Sequence, residues 1–328
     1  MFACVRSMRL LSSSRSKASK WYPFAYTTHS NAQVLDKWLK GVKTGSSTNY
    51  NQISSNCTNF SELKVNRTPD LPGLVHVKLN RPSYVNALSL SLWSEIDAFF
   101  DAVEKDSSVQ CVILSGEGRG FSSGMDLKVF IDLRKKIDEE NCQGRKREQL
   151  TCLIERLQSI TSAPERCRVP VIASIHGSCI GAGLDLVAAC DLRYSDMSAI
   201  FSIKEVDLAI IADLGALQRL PKLIGEQRTK ELAYTGRNFS GQEAEKIGLV
   251  STCFENTDEM TKEVYRIAKS VCGKSELVIR GIKQSIQYAR DHNTQDSLQQ
   301  VRMHNAAVLI NEELEAIMST SNSRSKSK

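Results

Sequence analysis

The stretch HGSCIGAGLDLVAACDLRYSDMSAIFSIKEVDLAIIAD, from His176 to Asp213, decides how this chain is organised. It begins with small residues, among them Gly181, Ala182 and Gly183. Small residues allow a backbone to approach a ligand closely while its N–H groups stay exposed. An apolar run with helical spacing follows them. The stretch therefore predicts a close-approach turn that leads into a buried helix.

Three acidic residues in this stretch stand beside apolar neighbours. Asp185 lies inside the apolar run, Glu205 lies in SIKEVD, and Asp213 ends LAIIAD. An ionised carboxylate among apolar residues is costly, so acids in this setting indicate a proton-transfer site. The pattern is also consistent with a structural role, in which Asp185 and Asp213 cap helices and Glu205 is solvated.

The composition is that of a globular protein and excludes several classes. The 328 residues are 41% hydrophobic and 24% charged, with a net charge of +6. That charge is too small and too dispersed to indicate nucleic-acid binding by itself. No apolar run reaches the roughly 20 residues that a membrane span needs. The ten cysteines include no C-x-x-C pair, which predicts a reducing compartment and no zinc or other metal site.

The two ends of the chain differ in composition from the middle. Residues 1–35 are basic, rich in serine and free of acids, which predicts a mitochondrial transit peptide, although an ordinary basic tail has the same composition. The polar residues 36–70 predict a disordered linker, and residues 319–328 predict a disordered tail. The expected folded parts are a core at 71–270 and a helical region at 271–318.

Strands alternate with helices through the core. The apolar runs at 109–116 and 169–177 predict buried strands, and the pattern as a whole predicts an α/β fold. LGALQRLPKLIG predicts a short helix that stops near Pro221. Two long amphipathic helices, at about 275–291 and 294–318, stand outside the alternation. Their apolar faces are suited to packing either on another subunit or on their own domain.

Together these motifs resemble the crotonase, or enoyl-CoA hydratase/isomerase, superfamily from Leu74 to Leu309. The motifs are LNRPSYVNALS, FSSGMDL, HGSCIGAGLDL, ACDLRYS, FSIKEVDL, LQRLPKLIG and AEKIGLV. The resemblance implies an α/β fold built as a spiral of ββα units, with a C-terminal helical oligomerisation region. It also implies an acyl-CoA substrate, no cofactor, and assembly as a homotrimer or as a homohexamer of two trimers.

The resemblance also implies a role for individual residues. The backbone N–H groups of Met125 and Ala182 are expected to form an oxyanion hole. Glu205 and Asp213 are expected to act as an acid–base pair, with Asp185 as a third acid nearby. This set of acids resembles the dienoyl-CoA isomerase branch, which moves a 3,5-diene to the 2,4 position in fatty-acid β-oxidation. The implied acyl-CoA site consists of Ser123, Gly124, Met125, Asp126, Leu127 and Ala182.

Three other activities remain open within the same superfamily. A 2-enoyl-CoA hydratase typically has glutamates at the positions of Asp185 and Glu205, and it does not need Asp213. A Δ3-Δ2-enoyl-CoA isomerase can move its proton with one carboxylate. A non-catalytic or RNA-binding member would need no acids, whereas this chain has the full set.

The chain departs from the superfamily pattern at several places. Ala182 stands where glycine is common, but a backbone N–H survives that change. Tyr84 and Val85 replace the usual basic residues, which weakens the expectation of a CoA phosphate contact there. The sequence ends Lys-Ser-Lys rather than in a peroxisomal tripeptide. We therefore expect the mitochondrial matrix rather than the peroxisome.

Overall fold

The structure is a computed structural model that describes residues 60–310 together with residues 312, 314 and 315. The predicted transit peptide (1–35) and the predicted tail (319–328) lie outside the described residues. So do the first residues of the predicted linker, up to residue 59. Those three predictions remain untested for the residues concerned.

The last residues of the predicted linker (36–70) contain a strand. Leu63–Thr68 form strand β1, which pairs antiparallel with β2 (Leu71–Leu79). Leu63 is buried in the core, and Val65 packs against it from the same face of the strand. The prediction of a disordered linker is wrong here because two apolar residues at a spacing of two outweigh the polar composition around them.

Two sheets, one large and one small, contain the strands of the described residues. The large sheet has six strands and the small sheet has three. The strands after β2 are β3 (Cys111–Gly116), β4 (Val171–Ile175), β5 (Ser178–Ile180), β6 (Leu192–Asp196), β7 (Ile200–Ser202), β8 (Phe239–Ser240) and β9 (Cys253–Phe254).

The large sheet has the order β1-β2-β3-β4-β6-β9, and all its pairs except β1–β2 are parallel. Strands β3 and β4 are buried along their whole length, as expected for parallel strands that are covered on both faces. The predicted strands at 109–116 and 169–177 are confirmed with shorter bounds. Since parallel strands end at one edge, the segments after β3 and β4 lie side by side.

The small sheet places the segments that follow β4. Its order is β5-β7-β8, with β5 and β7 parallel and β8 antiparallel. An isolated bridge joins Ser122, in the segment after β3, to Cys179 in β5. The small sheet therefore holds the FSSGMDL loop against the start of the stretch that opens at His176.

Helices connect the strands and cover the sheets. The helix α9 was not predicted, although its apolar residues Met260, Val264 and Ala268 recur every four positions and pack on the large sheet. The helices are α1 (Leu90–Lys105), α2 (Leu127–Asp138), α3 (Gln143–Thr161), α4 (Ala163–Arg166), α5 (Ala182–Ala188), α6 (Ala216–Ile224), α7 (Glu226–Thr235), α8 (Gly241–Lys246), α9 (Thr257–Cys272), α10 (Glu276–Ala289) and α11 (Thr294–Val308).

Pro221 does not stop its helix. Helix α6 continues through Pro221 to Ile224, and the N–H of Gly225 donates to the carbonyl of Pro221 at 3.1 Å. Leu220 and Ile224 are buried, so burial of the last turn offsets the missing hydrogen bond of the proline. The helix ends at Gly225, whose φ of +86° favours glycine.

The C-terminal helix α10 packs on its own domain through polar contacts. The Nζ of Lys283 is buried, donates to the carbonyl of Pro164 at 2.9 Å, and lies 2.7 Å from an Asp191 carboxylate oxygen. Apolar side chains of the same helix, including Ile282 and Ile286, are exposed. Within the described part of the chain, every helix is too short or too polar to cross a membrane.

Candidate active site

The loop after β3 lies directly against the turn that leads into α5. The N–H of Ile180 donates to the carbonyl of Ser122 at 3.0 Å. Gly124 has a φ of +89°, and a Cβ there would lie 2.8 Å from the Ile180 carbonyl and 3.6 Å from the Ala182 nitrogen. Only glycine allows this approach. The contact places Gly124, the residue before Met125, close to the main-chain nitrogen of Ala182.

The main-chain N–H groups of Met125 and Ala182 donate to no other atom among residues 60–310. Ala182 is the first residue of α5, where a helix offers its N–H no acceptor. Gly181 precedes it with a φ of +54°, and its own N–H donates to the carbonyl of Ser202 at 3.0 Å. Two free N–H donors on adjacent segments are suited to bind an anionic oxygen.

Glu205 lies beside this turn. It is the first residue of a short 3-10 helix, Glu205–Leu208. A Cβ on Gly181 would lie 3.1 Å from Oε1 of Glu205, so the carboxylate contacts the backbone just before Ala182. Its Oε2 is buried and has no hydrogen-bond partner in the part of the chain that the structure describes. Burial raises the pKa of Glu205, and the charge of Asp213 adds to the effect.

Asp185 is the most deeply buried of the three acids, with 1% of its surface exposed. The N–H of Ala216, in the first turn of α6, donates to its Oδ1 at 2.5 Å. Its Oδ2 is buried without a hydrogen-bond partner among the described residues. Burial, followed by the charge of Glu205, raises the pKa of Asp185 to about 8. Asp185 is therefore largely protonated at neutral pH.

Asp213 lies just before α6 and is held from α3. The side-chain Nε2 of Gln158 donates to the main-chain oxygen of Asp213 at 2.6 Å, and Oγ1 of Thr161 donates to that of Leu214 at 2.9 Å. Burial raises the pKa of Asp213. Its charge also raises the pKa of Asp185, though by less than burial does. The structure thus brings the three predicted acids into one cluster.

The remaining predicted acyl-CoA residues have mixed surroundings. Ser123 is partly exposed and Leu127 is exposed, so both are accessible to a ligand. Asp126 accepts a hydrogen bond from the N–H of Lys128 at 3.0 Å, which caps α2, and it pairs with Arg81 at 3.2 Å. The Asp126 carboxylate therefore stabilises the loop.

The residues that support the acids were not identified as site residues from the sequence. Gln158 and Thr161 bond main-chain atoms 55 and 53 positions further along the chain, and Ala216 bonds an acid 31 positions before it. Contacts to main-chain atoms at such distances leave no local sequence pattern. Among residues 60–310, no group of three or more His, Cys, Asp or Glu side chains is arranged to hold a metal.

Comparison with known proteins gives the same family as the motifs. The Enoyl-CoA hydratase/isomerase family matches residues 71–319. A protein from Arabidopsis thaliana, "Delta(3,5)-Delta(2,4)-dienoyl-CoA isomerase, peroxisomal", is 42% identical over 260 residues, which cover 79% of this chain and 94% of that protein. The Mus musculus protein of the same name, mitochondrial, is 39% identical over 239 residues, which cover 72% of each chain.

Solved structures agree with the fold. A crystal structure of enoyl-CoA hydratase from Bacillus anthracis matches with a TM-score of 0.70 and 30% identity, and the match covers 80% of this chain and 96% of that one. The α/β fold expected from the resemblance is therefore confirmed. With a family match over most of its length and relatives at these identities, the chain belongs to the enoyl-CoA hydratase/isomerase, or crotonase, family.

Proposed function

We propose that this protein is a Δ3,5-Δ2,4-dienoyl-CoA isomerase, which converts 3,5-dienoyl-CoA to 2,4-dienoyl-CoA in fatty-acid β-oxidation. The observation that carries the proposal is the cluster in which Asp213 joins Asp185 and Glu205 beside the Gly181 turn. The names of the relatives from Arabidopsis thaliana and Mus musculus support it. The substrate is a CoA thioester, and the reaction we propose needs no other cofactor.

The first step removes a proton from C2 and leaves an enolate that is conjugated with the 3,5-diene and carries negative charge on the thioester oxygen. In our proposal the N–H groups of Met125 and Ala182 donate to that oxygen. Each donor of this kind contributes on the order of 3 kcal/mol to the transition state. Because the two groups have no other acceptor in the described residues, they need not break a bond to receive the substrate.

The second step returns a proton at C6, and this requires a second carboxyl group. C2 and C6 are several ångströms apart in an extended diene, whereas a catalytic oxygen must come within about 3 Å of the proton it transfers. In our proposal one of the two residues Glu205 and Asp213 is the base at C2, and the other is the acid at C6. Burial raises the pKa of both, which favours a pair with one proton between them.

A 2-enoyl-CoA hydratase is the second candidate. The match to the hydratase structure from Bacillus anthracis favours it, and a hydratase would use only Asp185 and Glu205. Asp213 would then have no role in the chemistry. Its place beside the other two acids, where its charge acts on both, favours the isomerase.

One assay separates these activities. Purified protein is given 3,5-dienoyl-CoA, and conjugation in the product is followed by its new ultraviolet absorbance. Crotonyl-CoA hydration is measured in parallel on the same preparation. We expect isomerisation to be the faster reaction. Faster hydration would overturn the proposal, and a salt-sensitive RNA complex without acyl-CoA binding would favour a non-catalytic member of the family.

We also propose that the protein assembles as a homotrimer or as a homohexamer through its C-terminal helices. The exposed apolar side chains of Leu277, Ile282 and Ile286 on α10 support this, since they are 47%, 51% and 59% exposed in the single chain. Apolar surface of this kind favours association. Light scattering coupled to gel filtration measures the mass, and a monomer at working concentrations would contradict the proposal.

The proposed location is the mitochondrial matrix. The basic, acid-free composition of residues 1–35 supports it, as does the mitochondrial relative from Mus musculus, whereas the relative from Arabidopsis thaliana is peroxisomal. Two fusions to a fluorescent protein test the proposal, one of residues 1–35 and one of the full-length chain. Import of both into mitochondria is expected, and peroxisomal fluorescence of the full-length fusion would contradict it.

A further inference from the structure

Arg219 is a mostly buried arginine that none of the steps above uses. It lies in α6, and its guanidinium is fixed by residues before β4. Nη2 lies 2.6 Å from Oε2 of Glu165 and donates to Oγ of Ser162 at 2.8 Å, while Nε donates to the same Glu165 oxygen at 3.1 Å. Charge-assisted bonds of this kind hold a planar guanidinium in one orientation.

The remaining nitrogen of the guanidinium, Nη1, packs against the turn that precedes α6. A Cβ on Gly215 would lie 1.9 Å from Nη1 of Arg219, so the guanidinium occupies the space of a side chain at that position. Gly215 also has a φ of +126° and precedes the first residue of α6. The next residue, Ala216, donates its N–H to Oδ1 of Asp185. Arg219 therefore packs on the turn that hydrogen-bonds the buried acid.

Arg219 is one of the charged residues that act on Asp185. Glu205 approaches it from the 3-10 helix and Asp213 from the loop before α6, and both raise its pKa in addition to burial, while the charge of Arg219 lowers it. On β5, the Cys179 thiol is fully buried, and burial raises its pKa, so it stays neutral. Helix α3 contributes the uncharged side chains of Gln158 and Thr161, which donate to the main-chain oxygens of Asp213 and Leu214. Arg219 is thus a positive charge next to an acidic cluster.

We propose that Arg219 is a positioning residue for the acid cluster. Anchored by Glu165 and Ser162, it holds the Gly215–Ala216 turn against Asp185 and supplies a counter-charge to that acid. This inference rests on the proposed function, because it takes the cluster to be catalytic. Arg219 itself touches no reacting atom.

The test compares Arg219→Gln and Arg219→Lys with a matched control, Arg290→Gln. Arg290 also pairs with Glu165 and lines the same surface cavity of about 930 Å³, but it does not pack on Gly215. For Arg219→Gln we expect kcat to fall roughly 10- to 100-fold with little change in KM, because the cluster is displaced while substrate contacts remain. Arg219→Lys should recover part of kcat, and Arg290→Gln should resemble the wild type.

The pH profile separates positioning from mere stability. The charge of Arg219 lowers the pKa of Asp185, so the limb of the kcat profile that reports Asp185 should move to higher pH in Arg219→Gln and stay in place in Arg290→Gln. A lower melting temperature in both variants with unmoved limbs would overturn the inference and leave Arg219 as a structural residue.

A second readout does not depend on turnover. Carbon-13 NMR titration of the Asp185 carboxyl, assigned by comparison with Asp185→Asn, measures its pKa in each variant. A rise in Arg219→Gln but not in Arg290→Gln supports the inference even if the wild type fails to isomerise dienoyl-CoA, in which case only the proposed function is wrong. An unchanged Asp185 pKa in Arg219→Gln overturns it.

Discussion

Asp185 and Asp213 carry the same side chain in different surroundings. Asp185 is almost completely buried, whereas Asp213 is partly exposed just before α6. Burial raises the pKa of both, and for Asp185 the value reaches about 8. The sequence could show that both acids stand among apolar residues. It could not show which of them would lose contact with water, because that depends on α3 and α6 closing around α5.

We expect Asp213→Asn to lose most of its turnover while still binding acyl-CoA. Asparagine keeps the size of the side chain but cannot transfer a proton, and a positioned acid or base contributes roughly 10²- to 10⁴-fold to a rate. Steady-state kinetics with 3,5-dienoyl-CoA measure kcat, and calorimetry with a saturated acyl-CoA measures binding. A variant with unimpaired turnover would remove Asp213 from the mechanism.

The protonation of Asp185 predicts a pH-dependent stability. Its pKa is raised from 3.8 to about 8 on folding, so between these values the folded state binds more protons than the unfolded state. The free energy of unfolding therefore falls as pH rises through this interval, by up to about 1.4 kcal/mol per pH unit. The stability that Asp185 confers is fully present below 3.8 and lost by about 8.

Asp185→Asn tests this prediction. The variant cannot ionise at this position, and its amide oxygen can still accept the Ala216 N–H. Its stability relative to the wild type should therefore increase as pH rises, even though turnover falls. Urea denaturation of both proteins at several pH values measures the difference. The same difference at every pH would contradict a buried, protonated Asp185.

At the scale of elements, two backbone segments from separate sheets lie against each other at the proposed oxyanion hole. Gly124 and Gly181 have positive φ values, and each lies where a side chain would strike the opposite segment or Glu205. The sequence motifs located both segments, because small residues in a row are a local feature. The helix α9 was missed, although its capping Asn256 accepts a hydrogen bond from the N–H of Glu259, and such a cap is a detectable N-terminal signal.

Gly124→Ala should impair catalysis through the backbone. The added Cβ would lie 2.8 Å from the Ile180 carbonyl, at a φ of +89°, so the loop must shift and move the Met125 N–H. We expect kcat to fall by about 10²-fold, as for loss of one oxyanion donor, and stability to fall by about 1 kcal/mol. Kinetics and urea denaturation measure the two effects.

Gly144→Ala is the matched control. Gly144 lies in the first turn of α3, where a Cβ would meet only the Cys142 sulfur, at 3.7 Å. Its stability should stay equal or rise by a few tenths of a kcal/mol, because alanine suits a helix better. Its kcat should not change. Equal losses in both variants would show that Gly124 has no special role.

For the whole molecule, the sequence left open whether the C-terminal helices pack on their own domain or on another subunit. The structure is compatible with both. Lys283 of α10 forms a salt bridge with Asp191 of the same domain, while Ile286 of the same helix is exposed. The structure therefore shows that α10 packs on its own domain. Association with another subunit through exposed apolar side chains remains a proposal.

Ile286→Glu should dissociate the proposed oligomer without unfolding the chain. Ile286 is 59% exposed, so a charge there costs little in a monomer but is buried in an interface. Light scattering measures the mass and circular dichroism the fold. Gln284→Glu adds the same charge at another exposed position of α10 and should keep the assembled mass. A mass that is unchanged in Ile286→Glu would place the interface elsewhere.

Local sequence patterns were enough to predict the α/β class, the family motifs and the three acids, because apolar periodicity and small residues before an acid-bearing helix are short-range features. Only the tertiary structure decided that Glu205 reaches the Gly181 turn, that Ala216 bonds Asp185 and that Gln158 holds Asp213. These contacts join main-chain atoms and side chains far apart in the sequence. They exist only once helices α3, α5 and α6 have packed together, and packing leaves no repeat in the order of residues.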